Sequence, residues 1–259
     1  MYVVEPGTRR VSAQSLTDSS VYQPIKELSV KIRDSATLRC CISEMGFGDI
    51  AWFKQPNREK PQIIVNFFRT AGETFVNGFE KSKFIIKRSS ARNCFNLTIL
   101  NTTPSDEAVY YCALTYPSPE FGDGTYLTIT DTVQPGKRWV SAQSLTESPV
   151  YQPDKKLSVD IGDSATLRCC FSKNKVETID WFKQPKRQKP QIIVTVYKTS
   201  GETFYNESQK FNFRIEKSST CIHLIILNTI QSDEAMYYCA LMGINPVFAD
   251  GTYLKISGR

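Results

Sequence analysis

The 259-residue sequence contains a single histidine, His223. That scarcity removes most routes to acid–base or nucleophilic catalysis, because no Ser, His and acid constellation can be assembled around it. His223 lies beside Leu224 in a predicted strand, on the side away from the apolar residues, and reads as a surface residue. No glycine-rich phosphate loop is present. Neither an enzyme nor a cofactor is expected. No apolar run approaches the roughly 20 residues a membrane helix needs, and Met1–Arg10 lacks the apolar core of a secretory leader. Two readings follow: a cytosolic protein, or an extracellular portion trimmed at both ends, anchored only through segments outside this chain. Dense positive charge is also missing. The net charge of +6 divides into +2 for residues 1–130 and +4 for the remainder. Nucleic-acid binding wants a denser basic stripe, so no nucleic-acid partner is expected.

What is present is a globular composition, 41% hydrophobic and 22% charged, written out twice. Val11-Ser-Ala-Gln-Ser-Leu-Thr17 recurs as Val140-Ser-Ala-Gln-Ser-Leu-Thr146, an offset of 129. Asp34–Cys41, Trp52–Pro56 and Gly72–Phe75 recur at the same offset, and Tyr110–Leu114 recurs as Tyr237–Leu241 at 127. The second copy has therefore lost two residues, near Ala91-Arg-Asn93. A period this long is a whole domain rather than a solenoid unit. The expected domains are residues 1–130 and 131–259, with a polar linker over about 131–139 that carries a Pro-Gly turn.

Within each copy, short alternating segments are split by turn residues. Ala36, Leu38 and Cys40 alternate with Ser35, Thr37 and Arg39, which marks strands with one buried face. No segment carries helical periodicity. The fold class is all-β, with two sheets per domain.

The eight cysteines fall four to a copy, and Trp52 and Trp181 each follow the first cysteine of their copy by twelve residues. Asp106-x-Ala-x-Tyr110-x-Cys112 and Asp233-x-Ala-x-Tyr237-x-Cys239 close the two patterns. This combination resembles the immunoglobulin superfamily, over nearly the whole chain. The resemblance implies a disulfide between the sheets, a core Trp packed on it, and a Tyr two residues before the second cysteine forming a corner. Parity selects the inward member of each Cys-Cys pair. Cys40 shares the face of Ala36 and Leu38, so Cys40–Cys112 and Cys169–Cys239 are the expected bonds between sheets. Cys41 and Cys94 have outward parity on what the resemblance makes adjacent strands. They are expected to form a second, surface bond, as are Cys170 and Cys221. Adjacent cysteines suit zinc poorly, so no metal is expected. Four disulfides imply an oxidising compartment, hence a cell-surface or secreted protein. The sequons at Asn96, Asn101 and Asn206 agree with that placement.

The 59 residues between Trp52 and Cys112 leave room for the extra strands of a variable-type domain. Pro61–Val65 reads as the first of these, and Asn66–Thr70 as the loop and strand that follow. Phe121-Gly-Asp-Gly124 resembles the joining-segment strand of antibody and T-cell-receptor variable domains, and there the glycines permit a bulge used in pairing two domains. The second copy reads Phe248-Ala-Asp-Gly251, which puts the bulge and the pairing in doubt for that domain. Candidate pairing residues are Phe53, Gln55, Phe121, Gly122, Gln184 and Phe248. Lys83 is expected to bridge Asp106. Asn212 would face Asp233, so no ionic bridge is expected in the second domain.

Three loops cluster at one end of such a sandwich. The framework is nearly copied between halves while these loops differ. Thr115, Tyr116, Ser118 and Glu120 of the first domain, and Met242, Ile244 and Asn245 of the second, are the candidate ligand contacts. The Trp-Phe-Lys-Gln strand and the joining-like strand are similar to the novel immune-type receptors of bony fishes and related variable-joining receptors. The resemblance implies a cell-surface receptor for a protein ligand, such as a histocompatibility-like molecule. A homophilic module that pairs variable-domain faces as a homodimer, and a polymeric-immunoglobulin-binding receptor fragment, are the two alternatives. Whether the two domains pair within one chain or lie end to end stays open at this point.

Overall fold

The computed structural model describes residues 20–42, 49–68, 70–76, 78–89, 93–115, 119–130, 148–172, 178–206, 210–243 and 245–258. The expected linker lies outside them.

The first unit is a sandwich. One sheet has the order β1 (Val21–Tyr22), β3 (Ala36–Ile42), β8 (Cys94–Ile99), β7 (Phe84–Arg88). The other runs β2 (Glu27–Lys31), β11 (Thr125–Thr130), β9 (Ala108–Leu114), β4 (Ile50–Gln55), β5 (Gln62–Phe68), β6 (Gly72–Phe75), with β10 (Glu120–Phe121) on β9. All pairings are antiparallel except the parallel β2–β11. The second unit repeats this. Its sheets are β12 (Val150–Tyr151), β14 (Ala165–Phe171), β19 (Cys221–Ile226), β18 (Phe213–Lys217), and β13 (Lys156–Asp160), β22 (Thr252–Ser257), β20 (Ala235–Leu241), β15 (Thr178–Gln184), β16 (Gln191–Tyr197), β17 (Gly201–Phe204). Strand β21 (Val247–Phe248) pairs with β20. Among the described residues the only helical turns are three short 3₁₀ segments.

The period-two pattern of β3 decides which side chains enter the core. Ala36, Leu38 and Cys40 are fully buried between the sheets, with Trp52, Leu97, Ile99, Tyr110 and Leu127. Each large apolar side chain buried there stabilises by roughly 1.5–3 kcal/mol. Cys40 bonds Cys112 and Cys169 bonds Cys239, with Cα atoms 6.2 and 6.1 Å apart across the sandwich. Tyr110 donates its hydroxyl to the Asp106 carbonyl at 2.8 Å, and Tyr237 does the same to Asp233 at 2.9 Å. Burial raises both phenols well above their ordinary range.

The second disulfides are Cys41–Cys94 and Cys170–Cys221, between residues directly opposite on neighbouring strands, with Cα atoms 4.0 Å apart. The first of these is not a surface bond as expected. Cys41 and Cys94 are 3% and 1% exposed. The reason is Arg39, whose Nη2 lies 3.6 Å from the Cys94 sulfur. Its counterpart Arg168 instead donates two 2.8 Å hydrogen bonds to Asp154, a position held by Ile25 in the first domain. Cys221 is left half-exposed, beside a buried Cys170.

Two further expectations are corrected. The first added strand runs on through Phe68, because Asn66 and Phe67 continue the ladder with β6, and the next strand is Gly72–Phe75 rather than a segment of 66–70. The second domain does have an ionic bridge. Lys83 meets Asp106 at 2.8 Å in the first domain. In the second, Lys183 of β15 reaches Asp233 at 3.0 Å from a different strand, replacing the cation that Asn212 cannot supply.

Candidate binding site at the domain interface

The alternation that sends Trp52 and Trp181 inward sends Phe53, Phe182 and their neighbours to the outer face of the same sheet. In an isolated domain those side chains would face water. Here they are buried against each other, in one cluster drawn from both domains. It contains Ala51, Phe53, Ile63, Tyr111, Ala113 and Phe121 from the first, and Phe182, Tyr238, Ala240 and Phe248 from the second. Phe121 and Phe248 meet edge to face at 6.5 Å, and each also packs edge-on to a partner on the other domain, Phe182 at 5.9 Å and Phe53 at 6.1 Å. Tilted and T-shaped contacts of this kind add to area burial.

A local twofold relation runs through the polar contacts. Gln55 donates to the Gln184 amide oxygen at 3.0 Å and Gln184 donates back at 2.9 Å. Tyr238 lies 3.3 Å from the Gln55 amide nitrogen, and Tyr111 lies 3.3 Å from that of Gln184. Burial pushes both phenols up to about 12. Lys60 pairs with Asp250 at 2.8 Å, and Lys189 pairs with Asp123 at 3.3 Å. Asp123 also binds Lys26, and these cations hold its carboxyl below the ordinary range, the Lys26 hydrogen bond foremost. Neither strand alternation nor the family motifs single out these lysines and aspartates. Their spacing was the available signal, since Lys60 and Lys189 differ by 129 and Asp123 and Asp250 by 127.

The alanine in Phe248-Ala-Asp-Gly251 does not prevent the pairing. Ala249 is buried, and its N–H donates to the Cys239 carbonyl at 2.9 Å, as Gly122 donates to Cys112 at 2.8 Å. The position has no positive φ, so a methyl group requires space and not a special backbone. The second glycine is different. Gly124 and Gly251 have φ of 88° and 87°, and a Cβ there would meet the Tyr111 or Tyr238 ring at 2.7 or 2.6 Å.

Pairing brings the loop ends of the two domains together. Asn66 donates to the Asn245 side chain across the boundary at 3.0 Å. A small apolar cleft between the third loops is lined by Thr115, Pro119, Phe121, Met242, Pro246 and Phe248. Thr115 is tied through its N–H to Asp49 at 3.0 Å, Met242 through its N–H to Thr178 at 3.1 Å, and Glu120 accepts from the Ser20 N–H at 2.9 Å. Tyr116, Ser118 and Ile244 lie outside the described residues.

Of the sequon asparagines, Asn101 and Asn206 are exposed, and Asn96 is half-buried on the outer sheet opposite Arg39. His223 stands in register with Arg168 and Glu216, and among the described residues no three His, Cys, Asp or Glu side chains gather as metal ligands would. No described helix is long and apolar enough to cross a membrane.

Comparison with known proteins locates this architecture. The immunoglobulin V-set domain model matches residues 23–130 and 152–257. The mouse T-cell receptor alpha chain V region PHDS58 is 31% identical over 119 residues, which is 46% of this chain and 86% of that protein. The human T cell receptor alpha variable 12-1 is 28% identical over 40% of this chain and 85% of its own length. A rat protein, tyrosine-protein phosphatase non-receptor type substrate 1, is 25% identical over 207 residues, spanning 75% of this chain and 36% of that protein.

Proposed function

The chain belongs to the immunoglobulin V-set family, with two such domains in tandem, and from that premise we propose that it is the ectodomain of a cell-surface immune receptor of the novel immune-type class. In this reading it binds a protein ligand through one composite surface made by the loop ends of both domains. Relatedness to T-cell-receptor V regions and to the rat phosphatase substrate supports the receptor class. Four disulfides support an extracellular location. The observation that carries the composite surface is the Gln55–Gln184 exchange with the phenylalanine cluster around it. It turns the two domains toward each other inside one chain and leaves both third loops at the same end.

The same observation weighs against homophilic pairing through Gln55 and Phe121. Those faces are already occupied, so a second chain could use them only after the pair opens.

The test is a screen of the oxidised chain against displayed extracellular proteins, histocompatibility-like molecules and polymeric immunoglobulin included. Once a binder is found, Thr115→Arg and Met242→Asp should each abolish capture, since both line the shared cleft. Lys87→Glu on the outer sheet should leave it intact. Loss with Lys87→Glu alone would overturn the loop-end reading. Capture of polymeric immunoglobulin alone would move the receptor to the transport class.

A further inference from the structure

Asp180 is a carboxylic acid buried to 2% exposure where the equivalent residue of the first domain is Ala51. It lies on β15 between the core-facing Ile179 and Trp181, so its side chain shares the outer face with Phe182. It stands directly opposite Ala240, and both Ala240 and Phe182 belong to the cluster that joins the domains. Pairing of the domains is therefore what covers this face.

Among the described residues the carboxyl has one hydrogen-bond partner. Thr195 donates its hydroxyl to Asp180 Oδ1 at 2.7 Å, and the Thr195 oxygen lies 2.9 Å from the Tyr205 hydroxyl, which is part-exposed. The first domain has Asn66 and Val76 at these places, so the chain of hydroxyls is peculiar to the second domain. Among the described residues no Lys, Arg or His forms an ion pair with Asp180. The titratable groups sharing its face are Tyr197 on β16, Tyr205 after β17 and Tyr238 on β20, with Glu120 on β10, which packs against β16 from the first domain; Lys183 on β15 and Glu202 on β17 have the opposite parity. None of the groups on its face brings positive charge, and the residue directly opposite on β20 is Ala240. Burial moves the carboxyl from 3.8 up to about 6, against the pull of the Thr195 hydrogen bond.

We propose that Asp180 couples the closure of the two domains on each other to protonation, so that the pair holds more tightly at mildly acidic pH than at neutral pH. The direction follows from linkage. A carboxyl held neutral in the closed form and free to ionise in the open form opposes closure once it must ionise. The penalty is absent below the ordinary carboxylate range, grows as pH rises, and is complete above about 6. The hydroxyl chain through Thr195 to Tyr205 gives the proton a route to solvent without opening the pair.

The experiment uses the full oxidised chain carrying Ala113→Cys, a thiol probe at a buried interface position. The probe is labelled with a disulfide reagent at about pH 5 and about pH 7.4, with and without Asp180→Asn. The asparagine keeps the shape and the acceptor for Thr195 but cannot ionise. The opening constant of the parent should rise about tenfold from the lower to the higher pH relative to the Asp180→Asn chain. An equal pH response in the two chains overturns the proposal, and its loss on Glu120→Gln instead would place the titration there. Carboxyl titration by carbon NMR in the unmodified chain keeps the idea testable if the variants fold poorly. A midpoint near 6 for Asp180 supports it, and a midpoint near 4 overturns it. Neither readout uses a ligand, so the outcome is separate from that of the receptor reading.

Discussion

Gln55 and Gln184 each donate a side-chain N–H to the other's amide oxygen, at 3.0 and 2.9 Å, across the boundary between two domains of one chain. They occupy corresponding positions 129 residues apart, so a single residue choice made twice produces a self-complementary contact. Gln55→Glu replaces one donor by an acceptor that faces the Glu59 carbonyl, now 3.0 Å from the amide nitrogen. The pairing should weaken by about 1–3 kcal/mol, the cost of an unmet buried polar group. Small-angle scattering would register a larger radius of gyration for the opened chain, and an unchanged radius would show that the phenylalanine cluster suffices.

The two outer-sheet disulfides should differ in their response to reductant. Cys94 is 1% exposed beneath Arg39, whereas Cys221 is half-exposed because Arg168 is held by Asp154. Thiolate attack needs access to sulfur, so Cys170–Cys221 should open first under mild dithiothreitol. Alkylation and peptide mass spectrometry would give the order. Ile25→Asp should draw Arg39 away and bring the Cys41–Cys94 rate toward that of its counterpart.

Glycine is required at one position of the joining-like strand and not at the other. Gly124→Ala forces a methyl group onto the Tyr111 ring at a φ of 88°. It should lower stability by at least about 1–2 kcal/mol from the backbone alone, with part of the loss in domain pairing. Gly122→Ala should cost less, because Ala249 already fills the matching site and only the Gln23 side chain must shift. Denaturant titration of both variants decides the ranking.

Strong base should open the pair. Burial raises Tyr111 and Tyr238 from 10 to about 12, so in the paired form both keep their protons where an unfolded chain would lose them. Their contribution is intact below pH 10 and is lost as pH rises toward 12. Ultraviolet titration should show these two interface phenols ionising late, ahead of the core pair Tyr110 and Tyr237, which burial raises further. Tyr111→Phe with Tyr238→Phe should remove the step near 12 and leave only the later ionisation of Tyr110 and Tyr237.

The sequence by itself determined the architecture of each domain. Period-two alternation assigns faces in a strand, so the parity of Cys40 against Cys41 was enough to choose the core partner, and the repeat carried the choice to Cys169 and Cys170. It also indicated candidate pairing residues, Phe53, Gln55, Phe121, Gly122, Gln184 and Phe248, but not Phe182. The tertiary structure decided what those faces meet. Alternation reports that a side chain leaves the core, not whether water or another domain receives it. That is why Asp180 and Lys60 drew no notice in the sequence and stand in the interface of the folded chain. The Lys83–Asp106 bridge was legible in the sequence, but the bridge of the second domain was not, since Lys183 replaces the missing cation near Asp233 from another strand. The shielding of Cys94 depended on Ile25 standing where the second domain has Asp154, because a salt bridge redirects one arginine and leaves the other lying over sulfur.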